Sequence, residues 1–200
     1  PELIVLDDGF QHRKVAPRYA ILLTSYGNLY ANDWYLPTGN LRDHRKEASR
    51  ANVIVVTKCP SDLGEAEQSH IIARLKPRRG QKVLFSALRY ETVLKGSDKE
   101  LELSQLANKP FTLVTGIADP RPLLDYLSSL SLDFDHHSFP DHHHFTKEEI
   151  DKFRTCEVVV TTEKDYMRLK GKLENMYYLS ISHEFLGSDA SRLLGDLRAL

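Results

Sequence analysis

Seven short runs of apolar, largely β-branched residues shape this chain: LIVL (3–6), YAILLT (19–24), VIVVT (53–57), KVLFS (82–86), FTLVTG (111–116), VVVTT (158–162) and MYYLSI (176–181). The apolar residues are continuous rather than alternating. That pattern belongs to strands covered on both faces, as in parallel sheets. Helical patterns lie between several of them. Residues 65–76 and 121–130 carry apolar side chains at helical spacing, the second behind Pro120, a favourable first-turn residue. Thr146 with Glu149 three residues on reads as a capping box, opening a helix that runs to about Phe153. Residues 188–200 read as a last amphipathic helix. Strand–helix alternation predicts an α/β fold, a mostly parallel sheet with flanking helices. The polar stretch 95–102 (KGSDKELE) is the most linker-like piece.

Bulk properties narrow the function classes. The 200 residues suffice for one large domain or two small ones. With 27 basic and 28 acidic residues the net charge is −1, which gives no reason to expect a nucleic-acid partner. Two cysteines, Cys59 and Cys156, make no disulfide framework, and no signal peptide is visible, so a reducing compartment is expected. No apolar run approaches the roughly 20 residues that span a bilayer. There is no initiator Met, and a strand-like run sits almost at residue 1. The expectation is the C-terminal part of a longer chain.

Several stretches carry residues suited to chemistry. LIVLDDG places Asp7 and Asp8 after an apolar run, the position of ligand-binding carboxylates at the edge of open α/β sheets. Mg²⁺ takes hard oxygen ligands and keeps several waters, so one or two carboxylates suffice. A plain Asp-Gly turn is the competing reading. The phosphate-cradling pattern GxxxxGK[ST] does not occur in the 200 residues. Gln11, His12 and Arg13 follow, placed to orient phosphate or ribose groups or to form a polar turn. Arg42, in YLPTGNLRDHRK, has the fork that clamps a phosphate, and a structural loop competes with that role. Thr57-Lys58-Cys59-Pro60 lacks the aspartate of a guanine-reading turn. VTGIADP (114–120) reads as a βα connection with anion-binding potential at its helix start. In DHHHF (141–145) adjacent side chains point apart, which disfavours one zinc ion held by all three histidines. Three readings fit the residue types: a solvent-exposed His-rich loop, an acid/base role, or the Asp-His-His signature of a metal-dependent phosphoesterase. TTEKD (161–165) reads as a capped helix start, with Lys164 or Asp165 also able to face the edge of Asp7 and Asp8.

Six of these pieces, in order, resemble one family, the tetraacyldisaccharide 4′-kinases (lipid A 4′-kinases): DDGFQHR (7–13), LPTGNLRD (36–43), RANVIVVTK (50–58), TGIADP (115–120), FPDHHHF (139–145) and TTEKD (161–165). The resemblance covers residues 3 to about 170. It implies ATP- and Mg²⁺-dependent phosphoryl transfer to the 4′-hydroxyl of an acylated glucosamine disaccharide. The setting it implies is the cytoplasmic face of the bacterial inner membrane, with peripheral association mainly through an N-terminal part. It implies a P-loop kinase core plus a smaller C-terminal α/β domain. Residues 1–25 would belong to the core and 26–187 to the C-terminal domain, with helix 188–200 packing back on the core. Asp7 and Asp8 fall on the carboxylates near Mg²⁺, and Asp8 is also counted with the catalytic group. Gln11 and Arg42 fall on the nucleotide side. Asp141 and His142 fall on the catalytic Asp-His pair, with orientation and proton removal as the implied work of His142. His143 and His144 lie where family members vary. Asp43 stands where the family has Glu, which puts a direct ligand role for that carboxylate in doubt.

Two alternatives remain open at this point. One is a metal-dependent phosphoesterase using Asp7, Asp8, Asp141, His142 and His143. The other is a non-catalytic nucleotide- or partner-binding module. On the kinase reading the 200 residues are expected not to turn over ATP by themselves.

Overall fold

A computed structural model describes residues 4–200. The chain is α/β, with a mostly parallel sheet and flanking helices, and it divides into two compact units. The first comprises residues 1–89 and 183–200, the second residues 90–182. This partition differs from the expected division at residue 25, and the last helix goes with residues 1–89 in the first unit.

In the first unit β1 (Ile21–Ser25), β2 (Val53–Cys59) and the start of β3 (Lys82–Lys95) pair in parallel, in that order. Helix α1 (Glu65–Leu75) connects β2 to β3, and α5 (Asp189–Arg198) returns to the same unit. Alternate residues of β2 go to opposite faces. Ile54 and Val56 pack with Ile71 and Leu75 of α1. Val53 and Val55 pack with Leu84 and with Leu193 of α5. Helical cover on both faces is why VIVVT is continuous rather than alternating. Asp189, in the first turn of α5, is buried, accepts the N–H of Phe85 at 2.8 Å and pairs with Arg192.

The second unit repeats the plan. Strands β5 (Phe111–Thr115), β6 (Phe134–Ser138), β7 (Val159–Thr162) and the part of β8 (Met176–Phe185) before residue 183 are parallel in the order β8-β7-β5-β6. Leu113 and Val160 pack with Leu123 and Leu127 of α2 (Arg121–Ser129). Val114 and Val159 face the other side, with Ile150 and Phe153 of α3 (Lys147–Arg154) and Leu169 of α4 (Glu163–Leu169). Each fully buried Leu or Ile contributes about 1.5–3 kcal/mol relative to exposure. The capping box of α3 forms as expected: Thr146 accepts from Glu149 N, and Glu149 accepts from Thr146 N.

Four sequence expectations are corrected or extended. The run at 3–6 is not a strand among the described residues. Leu3 lies outside them, and Ile4, Val5 and Leu6 are 79%, 82% and 55% exposed. A strand needs a neighbour to take its N–H and C=O groups, and none of the described strands does so. β6 went unread because Phe-Asp-His-His-Ser lacks an apolar, β-branched run. The linker-like stretch 95–102 instead turns β3 back onto β4 (Glu100–Glu102), paired antiparallel. Both cysteines are free thiols, and burial pushes Cys59 up to about 11.

Candidate active-site residues

The expected site residues fall in both units. Asp7, Asp8, Gln11 and Arg42 belong to the first, Asp141 and His142 to the second.

In the first unit Asp8 adopts a left-handed φ of 48°, and its N–H donates to Asp7 Oδ1 at 3.0 Å. A single 3-10 turn, Gly9–Gln11, follows and carries Gln11. The segment is fixed from a distant loop. Arg13 Nη2 spans both oxygens of Asp43 at 2.9 and 3.1 Å, and Arg50 donates to Phe10 O at 2.7 Å with its guanidinium 4.4 Å over the Phe10 ring. Arg42 Nη2 stands 3.6 Å from Asp8 Oδ1. The hydrogen bond from Arg13 holds the Asp43 carboxyl below its usual range. Thus DDGFQHR and LPTGNLRD, 23 residues apart between Arg13 and Leu36, are brought together. The shortened acid at 43 serves that tie rather than standing toward a ligand.

The loop presenting Arg42 is tightly wound. Asp33 Oδ1 accepts from Trp34 N and Asn40 N, and Leu41 N donates to Trp34 O. A Cβ at Gly39 would lie 2.2 Å from Trp34 O, so only glycine fits. Arg45 donates to Asp33 O and lies 5.3 Å over the Trp34 ring.

In the second unit the loop after β6 carries the histidine run. Chain order and spatial order diverge here. β5 leads to β6 on one side, and the chain then crosses to place β7 on the other side of β5. Such a reversal opens a crevice beyond the strands' C-terminal ends, where open α/β sheets bind ligands. Gly116 follows β5, Thr162 ends β7, and Phe139 N, after β6, donates to Thr115 O at 2.7 Å.

The histidines separate by partner. His143 Nε2 meets Glu149 Oε2 at 2.9 Å and its ring stacks on Phe139 at 4.6 Å, which ties it to the capping box of α3 and holds Glu149 below its usual range. His136 Nε2 meets Thr115 Oγ1 at 2.8 Å, and burial lowers its imidazole; His137 pairs with Asp135. His144 is exposed. His142 projects with 74% of its side chain exposed, at a left-handed φ of 64°. Its Nδ1 lies 3.1 Å from Arg168 Nη2, and its Nε2 lies 3.6 Å from Asp141 Oδ2. Asp141 Oδ1 accepts from His142 N at 3.0 Å and from Lys164 Nζ at 2.7 Å, and the lysine's bond is the main cause of the lowered Asp141 carboxyl. No group of three or more His, Cys, Asp or Glu among the described residues is arranged to hold a metal ion.

TTEKD proves to be the support for this loop. Thr162 caps α4 by accepting from Asp165 N. Asp165 points inward, wholly buried, and accepts from Gly116 N and Thr162 Oγ1, both at 2.8 Å. A side chain at 116 would press on that carboxylate at 3.0 Å, which accounts for the glycine of TGIADP. Arg168, which the sequence reading missed, completes the array. The available signal was its spacing: Lys164 and Arg168 stand four apart, on one face of a helix.

Comparison with known proteins adds the family context. The sequence model of the family described as "Tetraacyldisaccharide-1-P 4'-kinase" (LpxK) matches residues 1–198. The tetraacyldisaccharide 4'-kinase of Flavobacterium johnsoniae is 41% identical over 191 residues, 93% of this chain and 56% of that protein. The enzyme of that name from Bacteroides thetaiotaomicron is 38% identical over 186 residues, 84% of this chain and 49% of that protein. The crystal structure of Aquifex aeolicus LpxK in complex with ATP superposes with a TM-score of 0.65 at 27% identity, over 94% of this chain and 55% of that one. The chain therefore spans about half the length of the curated relatives it matches.

Proposed function

The chain belongs to the tetraacyldisaccharide-1-P 4'-kinase family, and from that premise we propose that the protein containing it is an ATP-dependent lipid kinase. It transfers the γ-phosphoryl group to the 4′-hydroxyl of a tetraacylated glucosamine disaccharide in lipid A synthesis. The chain spans about half the length of such an enzyme. Residues 1–25 continue a P-loop nucleotide-binding core, in which the exposed run Ile4, Val5 and Leu6 takes its place as a buried strand. Exposed Ile21 and Leu23 on β1 support further cover by the rest of the protein. The enzyme works at the cytoplasmic face of the bacterial inner membrane, as a peripheral protein. No helix among the described residues is long and apolar enough to cross a membrane.

The observation that carries the reading is the 141–142 loop. His142 stands out to solvent while two cations of α4 hold it and its neighbour from behind. A sugar hydroxyl is a weak nucleophile, and phosphoryl transfer is accelerated mainly by positioning and by charge stabilisation. An oriented Asp141–His142 pair beside Lys164 and Arg168 offers both.

Asp7 and Asp8 fit an Mg²⁺ ion in donor type. They are adjacent exposed carboxylates, oxygen donors only, open to water and to phosphate oxygens. They would hold the ion that, when bound, neutralises charge on the transferring phosphates. Gln11 lines the nucleotide side, and Arg42, next to Asp8, clamps a phosphate oxygen.

The test is ATP-dependent transfer to a lipid disaccharide by the full-length protein, beside His142→Ala and His143→Ala. His142→Ala should lose about 10²-fold or more. His143→Ala should lose stability with transfer largely kept. Hydrolysis of phosphoesters with Mn²⁺ and no transfer from ATP would overturn the kinase reading.

A further inference from the structure

We infer that Arg168 is a positioning residue that locks the neutral His142 imidazole in the tautomer protonated on Nε2, so that the ring presents an N–H donor on the side where Asp141 Oδ2 stands 3.6 Å away. This rests on the reading of His142 as part of the phosphoryl-transfer site, and it replaces the proton-removing role expected for that residue from the sequence.

Donors and acceptors around the ring decide the tautomer. A guanidinium has five N–H groups, no acceptor, and keeps its proton throughout the working range. Arg168 Nη2 lies 3.1 Å from His142 Nδ1, so Nδ1 offers its lone pair. A neutral imidazole bonded that way carries its hydrogen on Nε2. Turning the ring over would set a carbon against the guanidinium and lose the bond. Through Nε2–H the ring can donate to an anionic oxygen, Asp141 Oδ2 at 3.6 Å being the one at hand, but it cannot take a hydroxyl proton there.

Arg168 can dictate the tautomer because it is itself held. Its Nη1 donates to Asp165 Oδ1 at 2.9 Å and to Gly116 O at 3.3 Å, and Asp165 is wholly buried. The loop is gripped a second time one helical turn earlier. Lys164 donates to Asp141, whose Oδ1 also takes the N–H of His142. The left-handed φ of His142, a conformation that histidine adopts more readily than most residues, turns the ring toward Arg168. Backbone and ring of the histidine are thus set by two side chains of one helix face.

The test reads the tautomer directly in the full-length protein, with ¹⁵N-labelled imidazoles and His142→Gln to assign the resonances. In the wild type, with the ring neutral, Nδ1 is expected in the unprotonated range and Nε2 in the protonated range. Arg168→Met should bring both nitrogens to averaged positions as the tautomers exchange. Arg168→Lys, which keeps a charge for Asp165 but lacks the fork, should average them partly, and it supplies the reading if Arg168→Met does not fold. A merely structural arginine would change the melting temperature and leave the tautomer alone. A wild-type His142 protonated on Nδ1, or a tautomer unmoved in both variants, would overturn the inference. In the same samples kcat should fall with KM for ATP held. If the wild type transfers no phosphate at all, the kinase reading fails, and the tautomer still decides the role of Arg168.

Discussion

The carboxylate of Asp165 accepts the backbone N–H of Gly116 at 2.8 Å, and its other oxygen faces Arg168 at 2.9 Å. The pair joins the end of β5 to α4 with a fully buried acid and an arginine side chain 24% exposed. Asp165→Ala leaves the Gly116 N–H and the Thr162 hydroxyl without this acceptor, and Arg168 without its carboxylate. Breaking a buried pair from one side costs about 3–5 kcal/mol. The urea midpoint should fall accordingly with an unchanged slope. Asp165→Asn, which still accepts from Gly116, should lose less. Equal midpoints for wild type and Asp165→Ala would show that this contact anchors nothing.

Gly39 makes a separate prediction, because the loop around it contains the chain's one tryptophan, Trp34. Gly39→Ala sets a Cβ against Trp34 O and must displace the loop. The Trp34 emission should change as its stacking with Arg45 is lost. The melting temperature should move little, since the loop lies outside the packed clusters. Unaltered fluorescence would mean that the loop has room to spare.

Tyr19 gives a pH dependence. Its hydroxyl donates to Asp196 Oδ2 at 2.8 Å, and burial, reinforced by that acid, pushes it from 10.0 up to about 12. Between those values the folded protein keeps a proton that the unfolded chain has lost. Stability that is intact below 10 therefore falls as pH rises through the window. Tyr19→Phe should flatten part of the fall in denaturation experiments across this range. Some slope will remain, because Tyr90 is also raised to about 12 by burial. Superimposable profiles would contradict the assignment.

Asp43→Ala should loosen the segment that carries Asp7 and Asp8 by releasing Arg13. Groups that hold metal ligands in place typically matter about 10–100-fold. Mg²⁺-dependent transfer by the full-length protein should drop in that range, and Asp43→Glu, still able to pair with Arg13, should keep most of it. Normal activity in Asp43→Ala would place the tie outside the working site.

The strands with continuous apolar runs between residues 19 and 181 were legible because helices cover both faces of β2, β5 and β7, and continuous hydrophobicity records that cover. The caps of α3 and α4 were legible because a cap is local, written in residues three apart. β6 was not, since its Asp and His side chains are satisfied by particular partners such as Thr115, not by burial in an apolar core. The grip of Arg168 on His142 was hidden for another reason. The two are 26 positions apart, and only the crossing of β7 to the far side of β5 brings their elements together. The tie between Arg13 and Asp43 was invisible for the same reason.

Because Lys164 holds Asp141 and Arg168 holds His142, the helix turn and the histidine loop behave as one interchangeable part. A histidine loop grafted from a relative onto this scaffold would arrive without its clamps unless the matching turn of α4 came with it. Drift at any of the four positions, in turn, is constrained by the other three.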